Sequence, residues 1–239
     1  MIYQQNIYTS SSRQRSSKLS SLSRLTASLL LLLVGMGASA QKIFVLEKDS
    51  IPLFRGFQVS ADVFGAAQLA LSDYGQYEAA LRINLHDQWF PIFELGYGKA
   101  DHFDEVTNIY YKTQAPYFRI GIDFNLLKNK HADNRLYGGI RYAFTSYKVD
   151  IERRNLPDPT WQWDSGFRVD QEPCSHHWFE VVFGVDAKVM GPLHLGWTVR
   201  YKRRLIHKEG AIGQTWYVPG YGIYGDNRIG GTFNVIIDI

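Results

Sequence analysis

The chain is poor in the features that mark several common protein classes. It has one cysteine, Cys174, in 239 residues, so no internal disulfide can form and a disulfide-stapled secreted scaffold is excluded. It has eight prolines, at 52, 91, 116, 157, 159, 173, 192 and 219. Proline cannot donate to a β-ladder, so these positions predict linkers, loops and strand starts, with no strand interrupted. Beyond residue 40 no apolar run approaches the roughly eighteen residues of a membrane-crossing helix, which excludes an ordinary helical membrane protein.

An excess of positive charge is also missing once the chain is divided. Residues 1–40 read as an export signal: Arg13, Arg15, Lys18 and Arg24 precede the apolar run Leu25 to Gly35, and Ala38, Ser39 and Ala40 offer a cut before Gln41. Eleven residues rise only about 16 Å as a helix, too little to anchor in a bilayer. Removing the segment takes Lys+Arg from 26 to 22 against 23 Asp+Glu, leaving a net charge of about −1. The basic pI of about 8.8 therefore comes from the signal, and a nucleic-acid partner is not expected.

Alternation dominates what remains. After a linker over 41–55, period-two patterning recurs eight times between residues 56 and 239. The first strand is predicted over about 56–70, with Phe57, Val59, Ala61 and Val63 on one face; in the fourth, Phe118, Ile120, Ile122, Phe124 and Leu126 alternate with Tyr117, Arg119, Gly121, Asp123 and Asn125. The last strand sets Phe233, Val235, Ile237 and Ile239 on one parity, with Ile236 the intruder on the other. Links near 86–89, 127–134 and 190–193 are short, while those near 99–115, 148–176 and 204–226 are long. Only the link near 71–74 is short for its side. In a bilayer, strands leave no backbone group unpaired only when the sheet closes. The expected fold is all-β: an eight-stranded antiparallel up-and-down transmembrane β-barrel, with both termini and the short turns in the periplasm. Trp89 and Phe90 on the inner side, and Tyr97, Tyr117, Tyr147, Trp178 and Tyr201 on the outer, read as interfacial girdles, or simply as good strand formers.

If the apolar parity faces lipid, the other parity fills the lumen. It holds the acids Asp62, Glu78, Glu94, Asp123, Glu180, Asp186 and Asp238 and the bases Arg82, Arg119, Arg135, Arg141, Lys188, Arg200, Lys202 and Arg228. Eight strands enclose a space only wide enough for side chains, and buried charges must pair, so a salt-bridged plug is expected rather than a diffusion pore. In a soluble sandwich the same residues would be a solvated face.

Signals for chemistry are weak. Ser175, His176, His177 and Glu180 are close in sequence, but on a strand His176 and His177 point to opposite faces, so neither a catalytic nor a cofactor site is expected there. His86, His102, His131, His194 and His207 are scattered, and no metal site is expected; Asp101 to Glu105 reads as a solvated loop. In the long third loop two prolines precede Trp161 and Trp163, a composition suited either to protein contact or to a loop packing its own tryptophans over the barrel mouth.

These residues together resemble the small outer-membrane β-barrel proteins of Gram-negative bacteria. With Ala38 to Gln41 as the processing site, the chain resembles uncharacterised barrel proteins of the Bacteroidota. It departs in ending on Ile239 where many such barrels end on an aromatic residue. The resemblance implies an outer-membrane location in contact with lipid and insertion by the barrel-assembly machinery, which reads the last strand. It also implies a structural or accessory role beside other outer-membrane or periplasmic proteins. A lipid-modifying enzyme, a small-solute channel and an adhesin-type barrel are the rival readings.

Overall fold

The computed structural model describes residues 52–153, 166–208, 210, 213 and 215–239. The expected signal over 1–40, most of the linker, and Trp161 and Trp163 lie outside the described residues.

Eight long strands close into a ring: β1 (Phe54–Asp62), β2 (Tyr74–Leu85), β3 (Trp89–Asp104), β4 (Ile109–Asn125), β5 (Arg135–Arg153), β6 (Phe167–Met190), β7 (Leu193–Lys208) and β10 (Asn227–Asp238). Each pairs antiparallel with its sequence neighbours in the ring, and a two-stranded ladder, β8 (Tyr217–Val218) with β9 (Gly222–Ile223), lies in the last loop. The seam is β1 against β10, Gln58 opposite Asp238, and the amides of Phe57 and Ile239 exchange hydrogen bonds of 3.0 and 2.8 Å. Closure removes the edges of this sheet, so each of its eight strands is paired on both sides.

The alternation read from the sequence is the inside–outside pattern of this ring. Phe118 and Ile120 on β4, Phe144 on β5, Phe183 on β6 and Val199 on β7 are exposed on the outer wall, while Arg119, Asp123, Arg141, Glu180 and Arg200 are buried inside. Phe233, Val235, Ile237 and Ile239 share the outward parity of the last strand. Ile236 is fully buried in the lumen, where Gly196 leaves space beside its Cδ1.

Several expectations need correction. Residues 63–70 do not continue the first strand: Val63–Leu71 form a helix, α1. Asp62 caps it by accepting from the Phe64 amide at 3.1 Å, and Ser72 closes it on the Gln68 carbonyl at 2.9 Å. Alanine is the best helix former, and a segment whose apolar residues are largely Ala and Leu satisfies a period of two as readily as one of 3.6. The first loop is therefore not short. Nor are the second and third mainly loop: β3 and β4 pair out to Asp104 opposite Ile109, and β5 and β6 out to Arg153 opposite Phe167. Asp104 caps the turn between β3 and β4, and the amide of Val106 holds its carboxyl below the usual range.

The proline expectation also fails. Pro116 lies inside β4 and Pro173 inside β6. The β4–β5 ladder runs to Thr113 opposite Val149 and resumes at Tyr117 opposite Thr145, leaving 114–116 paired with β3 alone. Hydroxyls repair part of the loss, Thr145 donating to the Pro116 carbonyl and Thr113 to that of Lys148, each at 2.8 Å.

The girdle, finally, is incomplete. Tyr97 and Tyr201 face outward, but Phe90, Tyr117, Tyr147 and Trp178 are buried in the lumen. Tyrosine and tryptophan can face either way when their polar atom finds a partner, and three of these do: Tyr117 with Glu78, Tyr147 with Thr215 and Trp178 with Glu180. Phe90 lies under the Arg135 guanidinium, 4.0 Å from its ring centre.

Candidate functional site

The lumen is the most highly organised part of the molecule. Of the fifteen charges expected inside, twelve are buried, six acids (Asp62, Glu78, Glu94, Asp123, Glu180, Asp186) and six bases (Arg82, Arg119, Arg135, Arg141, Arg200, Lys202). The other three sit at the rims. Lys188 and Asp238 are exposed at the end that holds the termini, Lys188 beside Asp133 at 2.9 Å and Asp238 beside His194 at 3.0 Å. Half-buried Arg228, at the opposite end, donates to the carbonyls of Ile223 and Tyr224, both at 2.6 Å.

Ten of the buried charges form one chain up the barrel. Arg135 pairs with Asp186, and Asp186 with Arg82 at 3.0 Å. Arg82 reaches Asp123 at 3.1 Å, Asp123 meets Arg141 at 3.0 Å, and Arg141 meets Glu94 at 2.8 Å. Glu94 is a hub, since Arg119 and Arg200 also approach it at 3.1 and 2.8 Å. These two guanidiniums pair in turn with Glu78, and Arg119 Nε lies 3.0 Å from Glu180. Five arginines thus neutralise five carboxylates. Every base in the chain is arginine, whose planar fork can bridge two or three carboxylates where a lysine would act as a point charge. Tyr137 and Tyr117 join through their hydroxyls, to Arg82 at 3.0 Å and to Glu78 at 2.7 Å. Their rings fit because the residues opposite, Gly184 and Gly96, have no Cβ; one there would overlap the ring.

Asp62 stands apart from the expected pairing. It makes no ion pair among the described residues; besides capping α1 it accepts from the Phe233 amide at 3.2 Å. Lys202 also differs, giving its protons to the carbonyls of Gly220 and Tyr221 at 2.7 and 3.1 Å.

Those carbonyls belong to a second closure that sequence reasoning missed. The last loop folds into the barrel mouth, where Tyr217, Val218 and Tyr221 pack with Tyr111, Tyr147, Cys174 and Trp178 as a small buried core. Tyr111 donates to the Tyr217 carbonyl at 2.6 Å, Arg119 to that of Gly220 at 2.8 Å, and Trp216 stacks on His102 at 4.3 Å. Gly220 takes a φ of +80° against the Tyr117 ring, a conformation and an approach that other residues resist. Replacing Gly220 with alanine is expected to weaken docking of the loop by roughly 1–3 kcal/mol. Faster protease cleavage in the loop and a red-shifted Trp216 emission from a still-closed barrel would register that release.

At the opposite end a polar cavity of about 220 Å³ is lined by Arg55, Asp87, Lys130, Asp133, Arg135 and His194. Its charges are largely paired, Arg55 and His131 both to Asp87 at 2.5 and 2.7 Å. The exposed Asp133 carboxyl is held below its usual range by the Lys188 ammonium.

The catalytic candidates are not brought together. His176 faces inward, 3.0 Å from the His207 ring, while His177 lies on the opposite face of β6 with Nδ1 2.8 Å from the Tyr142 hydroxyl. Glu180 is held by Arg119, Arg200 and Trp178. Among the described residues no group of three or more His, Cys, Asp or Glu is arranged to hold a metal, and no helix is long and apolar enough to cross a membrane.

An apolar outer wall around a charged, largely ion-paired interior inverts the layout of a water-soluble protein. It defines a membrane-spanning β-barrel with a filled lumen, because only hydrocarbon makes such a wall favourable. The chain belongs to the family described as Domain of unknown function (DUF6048), which matches residues 21–238. No curated protein matches it. Among solved structures, it is similar to Neisserial surface protein A, at 12% identity over 78% of this chain and 99% of that one, TM-score 0.43. A major outer membrane protein of Thermus thermophilus is similar at 10% identity over 77% and 98%, TM-score 0.42. Ail, the attachment invasion locus protein of Yersinia pestis, crystallised with the heparin analogue sucrose octasulfate, is similar at 10% identity over 77% and 93%, TM-score 0.35.

Proposed function

We propose that this protein is a non-enzymatic, non-conducting barrel of the outer membrane, with its termini and short turns in the periplasm and its loops outside, acting as a structural or accessory subunit. The observation that carries this reading is the double closure of the lumen. Ten interlocked charges fill its length and the last loop fills its mouth, which leaves the polar cavity at the end that holds the termini without a path through the barrel. What such a barrel can offer a partner is its exterior. The exposed last-strand residues Ile237 and Ile239 lie on the outward parity that also carries Phe233 and Val235, which suits insertion by the barrel-assembly machinery. The asymmetry of the connections, turns at one end and extended hairpins with α1 at the other, supports the assigned orientation.

Purification of the full chain in mild detergent followed by mass spectrometry is expected to recover a stable protein companion. A lone monomer would count against the accessory role. Planar bilayers containing the protein are expected to stay electrically silent, whereas steady unit conductance would replace this reading with a channel. Loss of a lipid-modifying activity on Ser175→Ala or His177→Ala, with folding intact, would replace it with an enzyme.

A further inference from the structure

The interrupted ladder beside Pro116 falls at a particular height on the outer wall. Going up three adjacent strands, the outward residues are first Leu95, Phe118 and Phe144. The next row is Tyr97, Pro116 and Ser146, and the row above it is Lys99, Gln114 and Lys148. The wall therefore changes from apolar to cationic within two rows, across the stretch 114–116 that pairs with β3 but not with β5. Where β4 and β5 part, a cleft of about 390 Å³ opens on the outside, lined among others by Lys112, Gln114, Ser146, Lys148, Asp150 and Gln171.

Of the charges around this cleft, Lys112 and Asp150 are engaged by neighbours, whereas Lys148 in it and Lys99, beside it opposite Gln114, are not. Asp101 accepts from the Tyr110 hydroxyl at 2.5 Å and lies 3.8 Å from Lys112; Asp150 accepts from the backbone and side-chain amides of Gln171 at 2.7 and 3.0 Å. Lys99 and Lys148 are exposed and make no ion pair among the described residues. They stand two strand spacings apart, about 10 Å, with Gln114 between them, so two flexible ammonium groups can close on one phosphate. Below the cleft the wall continues into an apolar groove of about 580 Å³ lined by Ala79, Leu81, Leu95, Phe118, Ile120 and Phe144, with the Phe118 and Phe144 rings stacked at 5.4 Å. The small side chain of Ala79 makes room there among larger neighbours.

We propose that this cleft and groove form a binding site for a phosphate-bearing membrane lipid, its phosphate between Lys99 and Lys148 and its chains along Leu95, Phe118 and Phe144. The inference rests on the membrane-barrel reading. An anionic head joined to apolar chains is the one chemistry that satisfies both halves, since a free anion would leave the groove unused and an uncharged lipid would leave the lysines unused. Pro116 contributes by removing the N–H that would otherwise close the wall.

The test is native mass spectrometry of the full chain in mild detergent, titrated with a diphosphorylated lipid and with its dephosphorylated counterpart of identical chains. The wild type is expected to retain one phosphorylated lipid per chain in preference to the other. K99Q/K148Q is expected to weaken that preference roughly 25-fold, about fivefold per lysine, while K99R/K148R keeps it. Millimolar inorganic phosphate should not displace the lipid. Equal retention of the two lipids, an unchanged K99Q/K148Q, or displacement by inorganic phosphate would overturn the proposal. A fast-migrating band on unheated gels reports the closed barrel separately, so failure of lipid retention with that band intact removes this site and leaves the barrel standing.

Discussion

Glu94→Gln is expected to destabilise the barrel by about 3–5 kcal/mol, the cost of removing one partner from a buried ion-paired set. Glu94 is shared by Arg119, Arg141 and Arg200, and its side chain is almost completely buried. Glutamine keeps the shape but withdraws the negative charge that three guanidiniums divide between them. Five arginines would then face four carboxylates in a space that water reaches poorly. Urea unfolding in vesicles, followed by tryptophan fluorescence, measures the loss. Adding Arg141→Gln to Glu94→Gln restores the charge balance and leaves Asp123 still paired with Arg82, so the double variant is expected to be less unstable than the sum of the singles by at least about 1 kcal/mol. An unchanged midpoint for Glu94→Gln would mean that the lumen is solvated enough for its charges to act independently.

The opposite wall gives the second large effect. Ile120 lies outward on β4 between Phe93 and Tyr142 and is 52% exposed. On a water-soluble protein, arginine at such a position would change stability by no more than about 0.5 kcal/mol. Facing hydrocarbon, Ile120→Arg is expected to cost about 2–4 kcal/mol, read as a lowered unfolding midpoint in vesicles. Because one substitution gives opposite answers for the two environments, a neutral result would remove the membrane from the description.

Much of this architecture was legible along the chain. Phe118, Ile120, Ile122 and Phe124 alternate with Arg119, Gly121 and Asp123, and successive side chains on a strand must point to opposite faces, so that pattern identified both walls before any pairing was known. Balanced inward charge was legible for the same reason. Residues 63–71 were not, because alanine and leucine carry no period of their own and the deciding signal was a single cap, Asp62. Pro116 escapes the rule that keeps proline out of strand interiors, because the threonines at 113 and 145 satisfy the carbonyls left over by its missing N–H.

By itself the sequence determined a closed sheet, the face that meets lipid and the neutrality of the filling, since each follows from residues two apart on one strand. Only the tertiary structure decided which carboxylate serves which arginine, that Tyr117 and Trp178 turn inward, and that the last loop seals the mouth. Those outcomes depend on groups far apart in the chain, such as Lys202 with the Gly220 carbonyl, or Arg82 with Asp186. Local periodicity carries no information about such meetings, because they are set by the stagger at which the barrel closes and by the side chains that happen to lie across its narrow interior.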